Sequence, residues 1–251
     1  MEMQLEGAVA SIVEIDRLAS WVRETPKRAE QLVLVGGWAV HSWAPYYFSL
    51  DIDLVVRKDT RDSLLKVLPK WKFYPADPRA GVDKSKWLKD TAGGNQVVVD
   101  IVGTGPRMEN TFARDSKRSI PWLEAVGHSS ERKVQWDEPP LQPLLRVCDI
   151  DLLFLYKLKA LDDRTVRLES GPDQTGYLRL KRWKDAKDVW ALLLRMREAP
   201  NLALIRRYFA AHPFLRDTLT AAPELRGIGD PPNQGSADDF RELVATFVEL
   251  L

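Results

Sequence analysis

Short apolar runs broken by glycine and proline mark the first half of the chain, a pattern that predicts buried strands. Leu32 to Val35 is an apolar run closed by Gly36 and Gly37, which break the strand. Leu50 to Val56 is a second such run, and Gln96 to Val102 is a third, rich in β-branched residues. We therefore predict three strands, with one or two helical turns between the glycines and Pro45.

Apolar residues recur at helical spacing elsewhere in the chain. In the first half this spacing predicts helices at residues 4–24 and 60–68, and weaker patterns predict short strands near residues 71–74, 82–88 and 134–136. In the second half it predicts four helices, at residues 149–161, 178–196, 202–211 and 237–250. Loops are predicted at residues 164–178 and 227–235. The predicted fold class is α/β (α+β), with a mixed β-sheet and flanking helices in residues 1–140 and a helical domain in residues 141–251.

Composition describes an ordinary globular protein and narrows the function only slightly. The chain has 251 residues, 45% of them hydrophobic, and a net charge of +1, which argues neither for nor against a nucleic-acid partner. The single cysteine, Cys148, excludes an internal disulfide and a cysteine-based zinc site, so a reducing cytoplasm is the expected location. The N-terminal residues lack a signal-peptide pattern, and no apolar run reaches the roughly 20 residues of a membrane span.

Acidic residues stand inside two of the predicted strands. Asp51 and Asp53 are two positions apart, so their carboxylates point to the same face, and such like charges are unfavourable without a cation between them. Asp100 interrupts the third strand, and its burial is explained if that strand lies beside the one that carries Asp51 and Asp53. Mg²⁺ (or Mn²⁺) suits such a carboxylate set, whereas the alternative is that the aspartates simply face solvent.

The glycine pair adds a phosphate-binding feature to this candidate metal site. Gly36 and Gly37 would place bare backbone amides and the positive end of a helix dipole beside the acids. A metal site next to a phosphate cradle indicates phosphoryl or nucleotidyl transfer.

The spacing of these features resembles that of a known superfamily. Gly36-Gly37, followed after thirteen residues by Asp51-Ile52-Asp53, is similar to the signature of the DNA polymerase β-type nucleotidyltransferases. The letters of Gly36-Gly37-Trp38-Ala39 are close to those of aminoglycoside and lincosamide nucleotidyltransferases and of the AbiEii-like toxin group. The resemblance implies a nucleotidyltransferase-like sheet domain, a helical domain that closes a nucleotide cleft, and Asp100 as the third metal ligand. The chain departs from many relatives at Tyr47-Phe48-Ser49, where they carry Arg-x-Thr.

A second motif in the helical half also resembles the AbiEii-like group. Lys157 to Arg164, followed by Lys184 to Asp188, is similar to a K-x-x-A-L-x-x-R … [RK]-D-x-x-D pattern. The resemblance implies that Lys157 contacts the triphosphate and that Asp185 orients the lysine or the nucleotide. The alternative is that these residues form surface ion pairs on amphipathic helices.

The expected function is therefore a Mg²⁺-dependent nucleotidyltransferase that moves an NMP from an NTP to a hydroxyl acceptor, with Asp51, Asp53 and Asp100 as catalytic residues. The acceptor could be RNA such as a tRNA 3′ end, a protein, or a small molecule such as an antibiotic. Membership of the toxin group would add an antitoxin partner. Two alternatives stay open, a non-catalytic nucleotide or RNA sensor on the same fold and a purely structural scaffold.

Overall fold

Two compact units make up the part of the chain that the structure describes. The computed structural model describes residues 2–46, 49–76, 86–103, 120–171, 176–196, 200–225 and 236–251. The first unit, here called the sheet unit, reaches to Asp149, and the second, the helical unit, contains Ile150–Leu251.

A seven-stranded mixed sheet forms the centre of the sheet unit. Its strands are β1 (Leu32–Val35), β2 (Asp51–Val56), β3 (Tyr74–Pro75), β4 (Lys86–Asp90), β5 (Gln96–Gly103), β6 (Ser129–Lys133) and β7 (Leu144–Cys148). Their order across the sheet is β3-β4-β5-β2-β1-β7-β6. Two neighbouring pairs are parallel, β1 with β7 and β2 with β5, and the other pairs are antiparallel.

The three apolar runs of the sequence are the three central strands β5, β2 and β1. Leu34, Leu54 and Ile101 are fully buried there, which explains why these segments are the most hydrophobic of the sheet. The strand near residues 134–136 was predicted a few residues too late, since β6 covers Ser129–Lys133 and is mostly polar. An edge strand with one exposed face carries a weak hydrophobic signal, and this is the reason for the error.

Five helices flank the sheet within the described residues. They are α1 (Glu2–Arg23), α2 (Pro26–Gln31), α3 (Gly36–Trp43), α4 (Lys58–Val67) and α5 (Glu124–Gly127), and a 3₁₀ turn follows at Leu68–Trp71. Leu18 of α1 and Leu64 of α4 meet Ile52, Leu54 and Val99 of the central strands around a small apolar space. Because side chains alternate along a strand, Asp51 and Asp53 point away from these helices.

The helical unit contains five α-helices in its described residues. They are α6 (Ile150–Ser170), α7 (Tyr177–Met196), α8 (Leu202–Ala211), α9 (Pro213–Ala221) and α10 (Ala237–Glu249), with a 3₁₀ turn at Ala222–Glu224. Stacked rings join α7 to α10, since Trp190 and Phe240 have centroids 4.6 Å apart and nearly parallel planes. Phe154 and Phe247 join α6 to α10 with an edge contact at 5.7 Å.

Two predictions in this unit were wrong. Residues 164–170 were predicted as loop, but they continue α6. The prediction failed because charged side chains such as Arg164, which contacts Asp185 of α7, interrupt the apolar pattern by which a helix is recognised. Helix α9 was missed because Pro213 looks like a breaker, although proline is well tolerated in a first helical turn. The predicted loop at residues 227–235 lies outside the described residues.

The predicted fold class is confirmed as a mixed α/β sheet with flanking helices followed by a helical C-terminal region. In the described ranges, no helix is both long enough and apolar enough to cross a membrane.

Candidate functional site

The register between β2 and β5 brings the predicted acids together on the backbone. These strands are parallel, with Asp53 opposite Asp100 and Asp51 opposite Val98. All three aspartates are partly buried, and the pleat places them on the same face of the sheet. The prediction that the strand with Asp100 lies beside the strand with Asp51 and Asp53 is therefore confirmed.

Glycine is required directly after β1 because the backbone there lies against the Asp53 carboxylate. Val35, the last residue of β1, lies opposite Asp53, and Gly36 follows as the first residue of α3. Gly36 has φ +67°, and an added Cβ at this position would overlap the Asp53 carboxylate. Gly37 is buried next to it. The glycine turn and the acids thus form one continuous feature, with the first turn of α3 beside Asp53.

A cation that the sequence did not single out extends the same row of residues. Lys86 of β4 lies opposite Asp100, which is itself opposite Asp53 on the next strand. The Lys86 Nζ atom is 3.8 Å from the Asp100 Oδ2 atom, and the lysine side chain is 54% exposed. No local pattern identifies Lys86, because its position depends on how β4 pairs with β5.

The donor chemistry of this row suits a hard divalent cation. Carboxylate oxygens from Asp51, Asp53 and Asp100 are the ligands that Mg²⁺ and Mn²⁺ prefer. Among the described residues, the side chains form no group of three or more Asp, Glu, His or Cys that could hold a metal ion. The fit to a metal therefore rests on the strand register, the oxygen donors and the close approach of Gly36 to Asp53.

The second predicted motif forms a buried ionic cluster between α6 and α7, here called the hairpin cluster. The Lys157 Nζ atom lies 3.4 Å from Asp185 Oδ1 and 2.6 Å from Asp188 Oδ2. Lys184 contacts Asp188 at 3.2 Å, and Arg164 contacts Asp185. The alternative that these are surface pairs is wrong, since Lys157, Asp185 and Asp188 are only 7%, 3% and 1% exposed.

Burial controls the electrostatics of the hairpin cluster. It lowers the pKa of Lys184 below the ordinary value, although the neighbouring Asp188 carboxylate acts in the opposite direction. Burial also lowers the pKa of Arg164. Asp188 makes the shorter contact with Lys157, so the structure gives it at least as large a role as Asp185. The sequence signal for this role was the i, i+3 spacing of the two aspartates, which places them on the same side of α7.

Two further features of the sequence have structural roles. The His41 Nε2 atom lies 3.1 Å from the Gln135 carbonyl oxygen, and its ring contacts Trp38 and Trp136. His41 is therefore packed against aromatic side chains. The letters Asp-Ile-Asp-Leu of residues 51–54 recur at residues 149–152. This second copy leads into α6 rather than a strand, and Asp149 accepts a hydrogen bond from Ser130. The sequence is also rich in arginine and lysine at residues 107–118, a segment that lies outside the described residues.

Comparison with known proteins gives little beyond this geometry. No protein-family model matches the chain, and no curated protein sequence matches it. Among solved structures, the antibiotic-resistance factor ANT(2'')-Ia matches with a TM-score of 0.37 and 14% sequence identity. The match covers 84% of this chain and 100% of that chain. This likeness is too weak to establish a shared fold or a shared activity.

Proposed function

We propose that the chain is a Mg²⁺-dependent nucleotidyltransferase that moves an NMP from an NTP to a hydroxyl acceptor. The observation that carries this proposal is the register that places Asp53 opposite Asp100, together with the close approach of Gly36 to the Asp53 carboxylate. Two carboxylates on neighbouring strands repel each other unless positive charge is close. A substrate complex of metal and polyphosphate would supply that charge and use the backbone amides of the glycine turn.

Asp51, Asp53 and Asp100 would hold Mg²⁺ (or Mn²⁺) on the face of the sheet to which all three point. When bound, such a cation neutralises developing charge on the phosphoryl oxygens and orients the reacting groups. The Gly36 and Gly37 amides would donate hydrogen bonds to the β- and γ-phosphates at the N-terminus of α3. A larger residue at position 36 would displace the Asp53 carboxylate, so the same glycine serves the phosphate and the acid.

Asp100 is the proposed general base. An Asp100 carboxylate oxygen would take the proton of the acceptor hydroxyl as the hydroxyl oxygen bonds to the α-phosphorus. The bond from the α-phosphorus to its bridging oxygen then breaks, and pyrophosphate leaves with the electron pair. Asp53, on the neighbouring strand, would help to align the phosphate with Asp100 for this displacement.

Lys157 is the proposed contact of the helical unit with the triphosphate, on the basis of its motif alone. Lys157 is buried against Asp185 and Asp188, and these contacts would hold its side chain in a fixed position. The predicted boundary after residue 140 would remove β7 from the sheet, because β7 pairs with β1. We therefore propose the sheet unit as the catalytic domain and the helical unit as the domain that would close the nucleotide cleft.

The acceptor is proposed to be RNA, a protein or a small molecule. Of these, the resemblance of the Lys157 and Asp185 motif favours the substrates of the AbiEii-like toxins. In that case a separate antitoxin would be a partner of the chain, and the cytoplasm would be its location.

The test is transfer of label from each α-labelled NTP, with Mg²⁺, to a mixture of RNA, protein and aminoglycosides. We expect Asp100→Asn to reduce transfer by about 10²–10⁴-fold, as for loss of a general base. Asp53→Asn should abolish both transfer and the rise in Tm that Mg²⁺ and NTP produce together. Asp90→Asn is the matched control, since it removes an exposed carboxylate from β4 that pairs instead with Tyr74.

The outcomes separate the competing functions. Binding of NTP without transfer to any acceptor would favour the sensor. The structural scaffold predicts no change in Tm with Mg²⁺ and NTP. If Asp53→Asn left transfer unchanged, the assignment of the site would be wrong.

A further inference from the structure

Lys86, Asp100 and Asp53 form a straight row across three neighbouring strands. Lys86 on β4 is the register partner of Asp100 on β5, which is the register partner of Asp53 on β2. Residues directly opposite on neighbouring strands interact through their side chains, and like charges in such positions repel. The two aspartates are therefore an unfavourable pair, and Lys86 lies at the end of the row where it offsets them.

The contact of Lys86 is close enough to attract the acid and weak enough to be given up. Its Nζ atom is 3.8 Å from Asp100 Oδ2, while its side chain is 54% exposed and the Asp100 side chain 26% exposed. Exposed pairs of this kind contribute little net stability because water competes for both charges. Lysine carries its charge on a flexible stem with three donors, so the ammonium group can move away without disturbing β4.

We propose that Lys86 is a resident counterion of the carboxylate row, which a divalent cation must displace in order to bind. The inference rests on the proposed function, because it concerns the same three acids. Lys86 lowers the affinity of the free protein for the metal, since Asp100 loses an attractive partner when the metal enters and the two cations repel. Lys86 is thus a positioning residue, which acts through Asp100 and sets how readily the row takes up a metal.

Direct titration of Mn²⁺ tests this inference without any measurement of activity. The electron paramagnetic resonance signal of free Mn²⁺ gives its Kd for the purified chain without nucleotide. We expect Lys86→Met to bind Mn²⁺ about threefold to tenfold more tightly, as for loss of one partly screened charge near 4 Å. Lys86→Arg keeps the charge and should bind within about twofold of the unchanged protein.

Lys66→Met is the matched control. Lys66 is an exposed lysine of α4, the helix that packs on the opposite face of the sheet through Leu64. Its substitution changes the net charge by the same amount, so it measures the general effect of charge on Mn²⁺ binding. We expect its Kd to stay within about twofold of the unchanged value, because charges beyond about 10 Å are screened.

Each result has a distinct meaning. Tighter binding for Lys86→Met alone, lost again when Asp53→Asn is added, supports the inference. Equal Kd values for Lys86→Met and the unchanged protein overturn the role of Lys86 and leave the proposed function standing. Absence of Mn²⁺ binding in both proteins overturns the inference, whereas the proposed function is decided by the label-transfer experiment, in which the metal enters with the NTP.

Discussion

Gly36 is the residue at which backbone geometry and candidate chemistry are most tightly joined. Its φ of +67° is a conformation that favours glycine, and its α-carbon faces the Asp53 carboxylate with no room for a side chain. Local sequence identifies the glycine turn, whereas the contact with Asp53 depends on the antiparallel pairing of β1 with β2. The position therefore serves as a test of both the fold and the site.

We predict that Gly36→Ala destabilises the fold by more than its backbone conformation alone would cost. A non-glycine residue in this conformation costs about 1–3 kcal/mol, and the added Cβ must also push the Asp53 carboxylate aside. Urea unfolding measures the free energy, and Mn²⁺ titration measures the effect on the site, where weaker binding is expected.

Gly94→Ala is the matched control for this change. Gly94 has φ +78° in the turn between β4 and β5, and an added Cβ there would meet nothing within 4 Å. It therefore reports the conformational cost alone. If both variants lost the same free energy of unfolding and Mn²⁺ binding were unchanged, the close approach of Gly36 to Asp53 would affect neither stability nor metal binding.

At the scale of elements, the pairing of α6 with α7 depends on the hairpin cluster. Lys157 from α6 inserts between Asp185 and Asp188 from α7, and all three are buried. A buried charge pair contributes little net stability, but removal of one partner takes away charge compensation from the other in the apolar interior of the protein. Amphipathic pattern predicted the two helices, and it could not show that their polar residues meet each other.

We predict that Lys157→Met lowers the free energy of unfolding by about 1–3 kcal/mol, because Asp185 and Asp188 lose their shared cation but keep Arg164 and Lys184. Urea unfolding followed by circular dichroism provides the measurement. Lys27→Met is the control, since Lys27 and Asp59 form a pair at 2.9 Å that is exposed on both sides, and little change is expected there. An equally small effect for Lys157→Met would contradict the stabilising role of this contact.

The lowered pKa of Lys184 gives a prediction for pH. In the folded chain this pKa lies below its ordinary 10.5 because of burial, so the unfolded chain binds the proton more tightly between the two values. Stability from this group therefore rises as pH increases through the folded pKa towards 10.5, and is flat below that window. Unfolding of the unchanged protein and of Lys184→Met at stepped pH should show this rise in the unchanged protein only. Parallel curves for the two proteins would contradict it.

At the scale of the whole molecule, the division of the chain follows the sheet rather than the change in sequence pattern. Strand β7 (Leu144–Cys148) pairs with β1 and β6, and so belongs to the sheet unit. The Trp43 side chain adds a hydrogen bond of 2.9 Å to the Cys148 carbonyl oxygen. The compact sheet unit therefore extends to Asp149, beyond the boundary after residue 140 that the sequence predicted.

We predict that a fragment of residues 1–149 folds cooperatively, whereas a fragment of residues 1–140 is much less stable. The shorter fragment lacks β7, which leaves β1 without its parallel neighbour and β6 without any partner strand. Thermal unfolding and amide hydrogen exchange would compare the two fragments. Similar stability and similar protection of β1 in both would contradict this division.

The amino-acid sequence was enough to predict the three central strands, most of the helices and the shared face of Asp51 and Asp53. These features depend on local periodicity, which a single segment carries. The three-dimensional structure was needed to place Asp53 opposite Asp100, to add Lys86 to their row, and to show that Asp188 and Arg164 complete the hairpin cluster. Pairing between distant segments follows from how their apolar faces share a core, and no local pattern records that choice.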